Sequence, residues 1–289
     1  LRAGRAPQFP DTFVTAFGCV LADAQKDPAF ATEALGLPSE GYIAEQMGEI
    51  DPDAIHSVRR SLRKHIATAL RNELLAAYRT TKAPQPYRPD AHSAGQRALR
   101  NLCLGYLMEL DEPKVRALCI AQFDAADNMT DSMAALSALA NAEGGERDGA
   151  LQKFYDRWKD EPLVLDKWFA VQASSRLPDT LAAVKRLMRH PAFTLKNPNR
   201  VRSVVSSFCH GNQVRFHAAD GSGYAFAADQ IIAIDPLNPQ VAARLARSFD
   251  RWRKFDAARR AHSQAALERI RDTAGLSKDT FEVVTRALG

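Results

Sequence analysis

Pro162-Leu-Val-Leu-Asp-Lys-Trp-Phe-Ala-Val171 decides how the chain is read. Proline in a first helical turn costs nothing, because the N–H it lacks would have no intrahelical partner. Leu163, Leu165, Trp168, Phe169 and Val171 then recur at helical rather than strand spacing. The same grammar repeats downstream. In Phe193-Thr-Leu-Lys-Asn-Pro-Asn-Arg-Val-Arg-Ser203, Asn197-Pro198 is a cap followed by proline, and Val201, Val204, Val205 and Phe208 supply an apolar face. Phe216-His-Ala-Ala-Asp-Gly-Ser-Gly-Tyr224 holds a Gly-rich loop that turns tightly into a helix through Ile231 and Ile232. Asn238-Pro239 opens a helix whose inner stripe is Val241, Leu245, Phe249 and Trp252; Asp256–Thr273 and Ser277–Leu288 follow.

Upstream the pattern holds. Pro178 opens a helix with Leu181, Val184, Leu187 and Met188, and Gly149–Lys159 places Leu151, Phe154, Tyr155 and Trp158 on one face. Glu143-Gly-Gly145 is a turn, and Asn128–Asn141 is a helix capped by Asn128 or Thr130. Lys114–Phe123 and Ala94–Leu110 precede it. Asp51-Pro52 starts the longest predicted helix, through Ile55, Val58, Leu62, Ile66, Leu70 and Leu74 to Tyr78, with Arg59, Arg60, Arg63, Lys64 and Arg71 on its charged face. Between Ala83 and Pro89 three prolines in six residues predict an extended connector. Phe13, Phe17, Val20 and Leu21, then Phe30, Ala34 and Leu35, mark two further helices. No stretch sustains period-two alternation, and no fixed repeat recurs. The expectation is an all-α fold of about fourteen or fifteen helices. Its predicted form is an irregular α-solenoid, a superhelical HEAT/armadillo-like stack of antiparallel helix pairs, in one domain spanning 1–289.

Composition narrows the class. The chain has 289 residues, 46% hydrophobic and 25% charged, which is ordinary for a globular protein able to bury a large core. No apolar run approaches the ~20 residues of a membrane span, and Leu1-Arg-Ala-Gly-Arg-Ala-Pro7 lacks the apolar core of a signal peptide. The missing initiator Met suggests a piece of something longer. Cys19, Cys103, Cys119 and Cys209 are far apart among apolar neighbours and predict buried free thiols rather than a Cys-x-x-Cys site. The net charge of +5 resides in Val241–Gly289, with eleven Lys/Arg against six Asp/Glu; the first 240 residues balance. Such a tail could attract nucleic acid or be the solvated face of terminal helices.

Chemical motifs are missing. None of His56, His65, His92, His190, His210, His217 and His262 is followed by Glu, and no two are four apart, so a His-Glu-x-x-His zinc helix is absent. Cys209-His210 are helical neighbours pointing about 100° apart, too divergent for a thiolate–imidazole pair. Gly221-Ser-Gly223 is neither a nucleophile elbow nor a phosphate loop. Asn128-Met-Thr130 matches a glycosylation sequon, but Asn and Thr serve equally as caps. The residues alone leave open a helical binding module for nucleic acid and a protein-interaction scaffold.

The literal residues add more. Val164-Leu-Asp-Lys-Trp-Phe169, the Phe193–Ser203 and Phe216–Tyr224 stretches, Asn128-Met-Thr-Asp131, Ala134-Ala-Leu-Ser-Ala138 and Asn238-Pro-Gln-Val-Ala242 together resemble the C-terminal helical domain of the bacterial aminopeptidase N (alanyl aminopeptidase) family, which are zinc metallopeptidases. The resemblance runs from about Phe13 to Leu288. It implies a domain that closes over a zinc-bearing catalytic domain of the same cytoplasmic polypeptide and lines the route by which peptides enter. This chain would hold no catalytic residue and no metal ligand. The resemblance places Arg202 and Arg244 toward the chamber, where planar guanidinium forks would meet peptide carbonyls or a C-terminal carboxylate. Read without it, the arginines of both helices, Arg200, Arg202, Arg244, Arg247 and Arg251, are a solvated rim.

Overall fold

Cap residues and prolines set most of the helix starts. The computed structural model describes residues 5–81 and 87–289, so most of the proline-rich connector (82–86) lies outside the described residues. The chain runs through α1 (Asp11–Ala22), α2 (Pro28–Ala34), α3 (Glu40–Glu45), α4 (Pro52–Ala69), α5 (Arg71–Thr80), α6 (Ala91–Leu107), α7 (Pro113–Ala125), α8 (Met129–Leu139) and α9 (Gly145–Trp158). Then come α10 (Pro162–Ala173), α11 (Thr180–Leu187), α12 (Pro198–Val201), a π-helix (Arg202–Gly211), α13 (Gln213–Phe216), α14 (Ser222–Ile234), α15 (Pro239–Ala246), α16 (Ala257–Arg271) and α17 (Lys278–Leu288). Asn128 accepts from Asp131 N at 2.9 Å, Asn238 from Val241 N at 3.1 Å and Ser277 from Thr280 N at 3.3 Å, the N-terminal caps expected of those residues. The fold is all-α: among the described residues the single strand-like pairing is an isolated bridge between Ile50 and Phe255.

Several boundaries depart from the sequence pattern. The helix expected from Asp51 to Tyr78 breaks at Leu70 (φ −114°, ψ 30°); Ile55, Ile66 and Leu74 of its stripe are buried, but Val58 is exposed. The helix expected to run from Asn238 to Trp252 stops at Ala246 and tightens into 3₁₀ turns at Arg247–Phe249 and Trp252–Lys254. Helix α11 starts at Thr180, not Pro178. Splits of this kind raise the helix number above the expected fourteen or fifteen. Of the residues that mark the short second helix, Leu35 is buried at 1% exposure whereas Phe30 is 67% exposed.

Packing divides the chain into two compact units, Leu1–Ser39 with Ala54–Lys153 and Glu40–Asp53 with Phe154–Gly289. The core of the first unit is built on α6, whose Leu99, Cys103, Leu104, Tyr106 and Leu107 are buried. Gly95 lets α6 approach α2, since a Cβ there would lie 3.0 Å from Ala29 N. Tyr106 is buried, donates from Oη to Leu35 O at 2.8 Å, meets Phe17 edge-on at 5.3 Å and carries Arg63 over its ring at 4.6 Å. Arg63 also donates to Glu109 (2.9 Å) and Gly105 O (2.7 Å). The arginines expected on the charged face of α4 therefore include one that organises the core.

In the second unit the core gathers Phe169, Val184, Val201, Val204, Val205, Phe208, Phe216, Tyr224 and Phe249. Phe208 meets Phe216 at 6.2 Å and Phe226 at 5.6 Å with rings nearly perpendicular, the preferred arrangement of aromatic quadrupoles. Burying one such ring is worth about 3 kcal/mol. Of the four cysteines, Cys103, Cys119 and Cys209 are buried as expected, but Cys19 is exposed. Burial pushes the Cys103 and Cys119 thiols up to about 12 and Cys209 higher still, so all three remain protonated and unreactive.

Candidate functional site

Arg202 and Arg244 belong to neighbouring elements of the second unit. Asn197 Oδ1 accepts from Asn199 N (2.9 Å) and Arg200 N (3.4 Å), fixing the start of α12, which continues directly into the π-helix. Nothing in the sequence marks this wider i→i+5 turn; its apolar residues sit three and four apart, as in an α-helix. Ten residues of it is unusual, since π turns are mostly single insertions and frequent at functional sites. The inner face is Ser203, Val204, Val205, Phe208 and Cys209. Arg202 points outward, donating to Asn199 Oδ1 at 2.9 Å.

Arg200, two residues earlier, turns inward instead. Its guanidinium donates to Asp166, to Pro162 O at 2.9 Å and to Ala192 O at 3.0 Å, and lies 5.5 Å from the Phe169 ring. It is therefore a structural clamp that ties α12 to α10, not part of the solvated rim.

In α15, Ala242, Ala243, Leu245 and Ala246 are buried and Arg244 faces outward. Arg244 makes no side-chain hydrogen bond or ion pair among the described residues. Helix α15 packs on the π-helix, and the Arg244 carbonyl faces the His210 ring at the end of that helix opposite Arg202. Although the residue keeps solvent on its outer edge, desolvation lowers the His210 pKa, against the Ser206 and Arg244 carbonyls that favour its protonation. The structure thus places both predicted arginines exposed on packed neighbours, near opposite ends of the π-helix.

Arg251 is committed elsewhere. It donates to Glu45 Oε1 and, at 3.4 Å, to Gly41 O. This pairing reveals a set of residues that the sequence did not suggest. The segment Glu40–Asp53 docks on the C-terminal helices through Ile50 N, which donates to Lys254 O at 2.7 Å, and through Asp53, which pairs with Arg259. Arg259 is 7% exposed and also donates to His217 O (2.7 Å) and Asp256 Oδ2 (2.6 Å). Burial opposes its charge, but the two carboxylates outweigh that and raise its pKa. Only the Asp256–Arg259 part, a cap and the residue three further on, has a local signature; Asp53 is more than two hundred positions away.

His217 sits beneath this network. Its Nδ1 lies 3.0 Å from Tyr224 Oη and its ring stacks on Phe255 at 4.3 Å. Burial, helped by the nearby charges of Arg259 and Arg251, pushes its pKa down to about 3, so the ring is neutral. The Gly-rich turn beside it is forced. Gly221 adopts φ +72°, where a Cβ would meet His262 Cγ at 2.5 Å, and a Cβ on Gly223 would sit 2.1 Å from Phe216 O.

A metal does not fit this arrangement. Among the described residues no group of three or more His, Cys, Asp or Glu is placed to hold an ion, and the buried thiols are protonated.

The comparisons agree with the geometry. A family described as "Domain of unknown function (DUF3458_C) ARM repeats" matches residues 2–289. Aminopeptidase N of Escherichia coli is 41% identical over 285 residues, covering 99% of this chain and 33% of the relative. Aminopeptidase N of Caulobacter vibrioides is 40% identical over 290 residues, 100% of this chain and 34% of the relative. The crystal structure of Legionella pneumophila aminopeptidase A in complex with aspartic acid superposes with a TM-score of 0.90 at 30% identity, over 99% of this chain and 34% of that one. The chain spans about a third of the length of these relatives. A helical body matched along its whole length by part of larger peptidases leads to one assignment: the chain belongs to the DUF3458_C family of ARM repeats and is homologous to the C-terminal region of aminopeptidase N.

Proposed function

We propose that residues 1–289 act as the single C-terminal α-helical domain of a cytoplasmic zinc aminopeptidase N, which removes N-terminal residues from peptides. The zinc and the general base belong to the catalytic domain of that polypeptide. This domain encloses the chamber and lines the substrate route, with Arg202 and Arg244 contacting peptide carbonyls or the C-terminal carboxylate. The observation that carries the reading is the end-to-end similarity to one third of aminopeptidase N. Two outward guanidiniums without a carboxylate partner among the described residues suit the assigned contact, because such forks bind carboxylates in pairs of parallel hydrogen bonds.

Nucleic-acid binding through the basic tail is the weaker reading. Much of that positive charge is matched internally: Arg251 with Glu45, Arg259 with Asp53 and Asp256, Arg269 with Asp229, and Arg286 with Glu282.

The test is Arg202→Ala and Arg244→Ala in the full-length enzyme, assayed on tetrapeptides and on an alanyl chromogenic substrate. The expected result is a roughly ten-fold lower kcat/KM for peptides, the worth of one charge-assisted hydrogen bond, with the chromogenic substrate unaffected. Unchanged peptide kinetics in both variants would remove the assigned role.

A further inference from the structure

The docked segment Glu40–Asp53 and the C-terminal helices enclose a cleft of about 290 Å³. Its chemistry is divided. The rim carries Arg247 and Arg251 on one side of the charge balance and Asp250 on the other, while Ala44, Ile50 and Phe255 contribute apolar surface. Arg247 and Asp250 are exposed and make no side-chain ion pair among the described residues.

Two deeper groups are unsatisfied. Ser248 Oγ is buried, lines the cleft and has no hydrogen-bond partner among the described residues. His217 is 5% exposed and also lines the cleft; Nδ1 is taken by Tyr224, and Nε2 has no partner among the described residues. When the Tyr224 hydroxyl donates to Nδ1, Nε2 carries the imidazole proton and is a donor. Buried polar atoms without partners are rare and costly. One such atom, Ser248 Oγ, lines the cleft together with the unpartnered Nε2 of His217, and the pair marks a place where a polar ligand completes the hydrogen bonding.

We propose that this cleft is a binding site for a free α-amino acid with an aliphatic side chain. The carboxylate is held by Arg247, with Ser248 Oγ and His217 Nε2 beneath it, the ammonium group by Asp250, and the side chain by Ile50 and Phe255. A purely anionic ligand would leave Asp250 opposed to it, and a purely cationic one would leave Arg247 opposed to it; a zwitterion satisfies both signs. The volume is at the small end for ligand sites and suits a ligand of this size. Free amino acids are what N-terminal cleavage of peptides releases, so the site would sense product. That consequence rests on the proposed function; the binding itself does not.

The experiment uses the 289-residue chain, titrated with L-leucine by calorimetry and by ¹H–¹⁵N NMR. Saturable binding is expected, with shifts at Ser248, Asp250 and Phe255. Arg247→Ala and Asp250→Asn, at exposed positions that leave the fold intact, are each expected to weaken binding about ten-fold. L-leucinamide, lacking the carboxylate, and N-acetyl-L-leucine, lacking the ammonium, are expected to bind as weakly to the parent protein. Ser248→Ala is expected to weaken leucine binding while raising stability without ligand, because it removes a buried unpaired hydroxyl. No saturable binding at tens of millimolar leucine overturns the proposal. So does N-acetyl-L-leucine binding as well as leucine, or leucine binding indifferent to both rim substitutions. These outcomes are independent of peptide turnover and of Arg202 and Arg244.

Discussion

Replacing Gly223 with alanine tests how tightly the α13–α14 junction is built. The added Cβ would lie 2.1 Å from Phe216 O, 2.8 Å from its carbonyl carbon and 3.0 Å from its Cα. Those are backbone atoms, so no side chain can swing aside. Carbon contacts settle at roughly 3.5–4.0 Å, and α14 must therefore retreat by about 1 Å. Retreat pulls Tyr224 from Phe216, now 5.4 Å apart and edge-on, inside the aromatic core. Overpacking of this kind costs about 3 kcal/mol, against which the ~1 kcal/mol helix preference of Ala over Gly is a partial offset. A net loss of roughly 2 kcal/mol lowers Tm by about 4–8 °C in a protein of this size. Thermal unfolding followed by circular dichroism gives the number. Gly149→Ala is the control: it lies inside α9 with nothing within 4 Å of the added carbon, and should raise stability by about 0.5–1 kcal/mol. If Gly223→Ala melts within about 2 °C of the parent, the close approach of the two backbones is not a constraint, and the reading of the Gly-Ser-Gly turn fails.

Two further measurements probe the same interior. The His217 pKa is about 3 in the folded chain, whereas an unfolded histidine protonates near 6.5. Between those values the unfolded state binds more protons, so stability falls as pH drops below 6.5, by about 1.4 kcal/mol for each pH unit. Urea unfolding at pH 7.0 and 5.5 should show that loss while the ¹⁵N shifts of the His217 ring remain those of a neutral imidazole; equal stabilities at the two values, or a protonated ring at pH 5.5, contradict the buried placement. Thiol titration with an aromatic disulfide should find Cys19 reacting promptly and Cys103, Cys119 and Cys209 only after denaturant is added. Fast labelling of a second thiol would show that one of the three core sites opens.

What the sequence determined by itself is everything that depends on neighbours three or four residues apart. Cap-plus-proline pairs at Asn197-Pro198 and Asn238-Pro239, the caps at Asn128 and Ser277, and the inward Val201, Val204, Val205 and Phe208 are local features, and all are found where the spacing put them. The resemblance carried by separated stretches gave the family for a related reason, since matched order over most of the chain is itself information. Tertiary structure alone decided the rest. The break at Leu70 depends on what lies across from it. So does the π-helix, whose apolar spacings of three and four suit an α-helix equally well. Arg200 and Arg202 have the same side chain two residues apart, yet one is buried against Asp166 and the other faces solvent, because a helix turns them to different sides and only packing says which side is inner. The clamp of Arg259 on Asp53 and the cleft over His217 join residues more than 150 positions apart. A local pattern constrains its own helix; it contains no record of which distant surface that helix will meet.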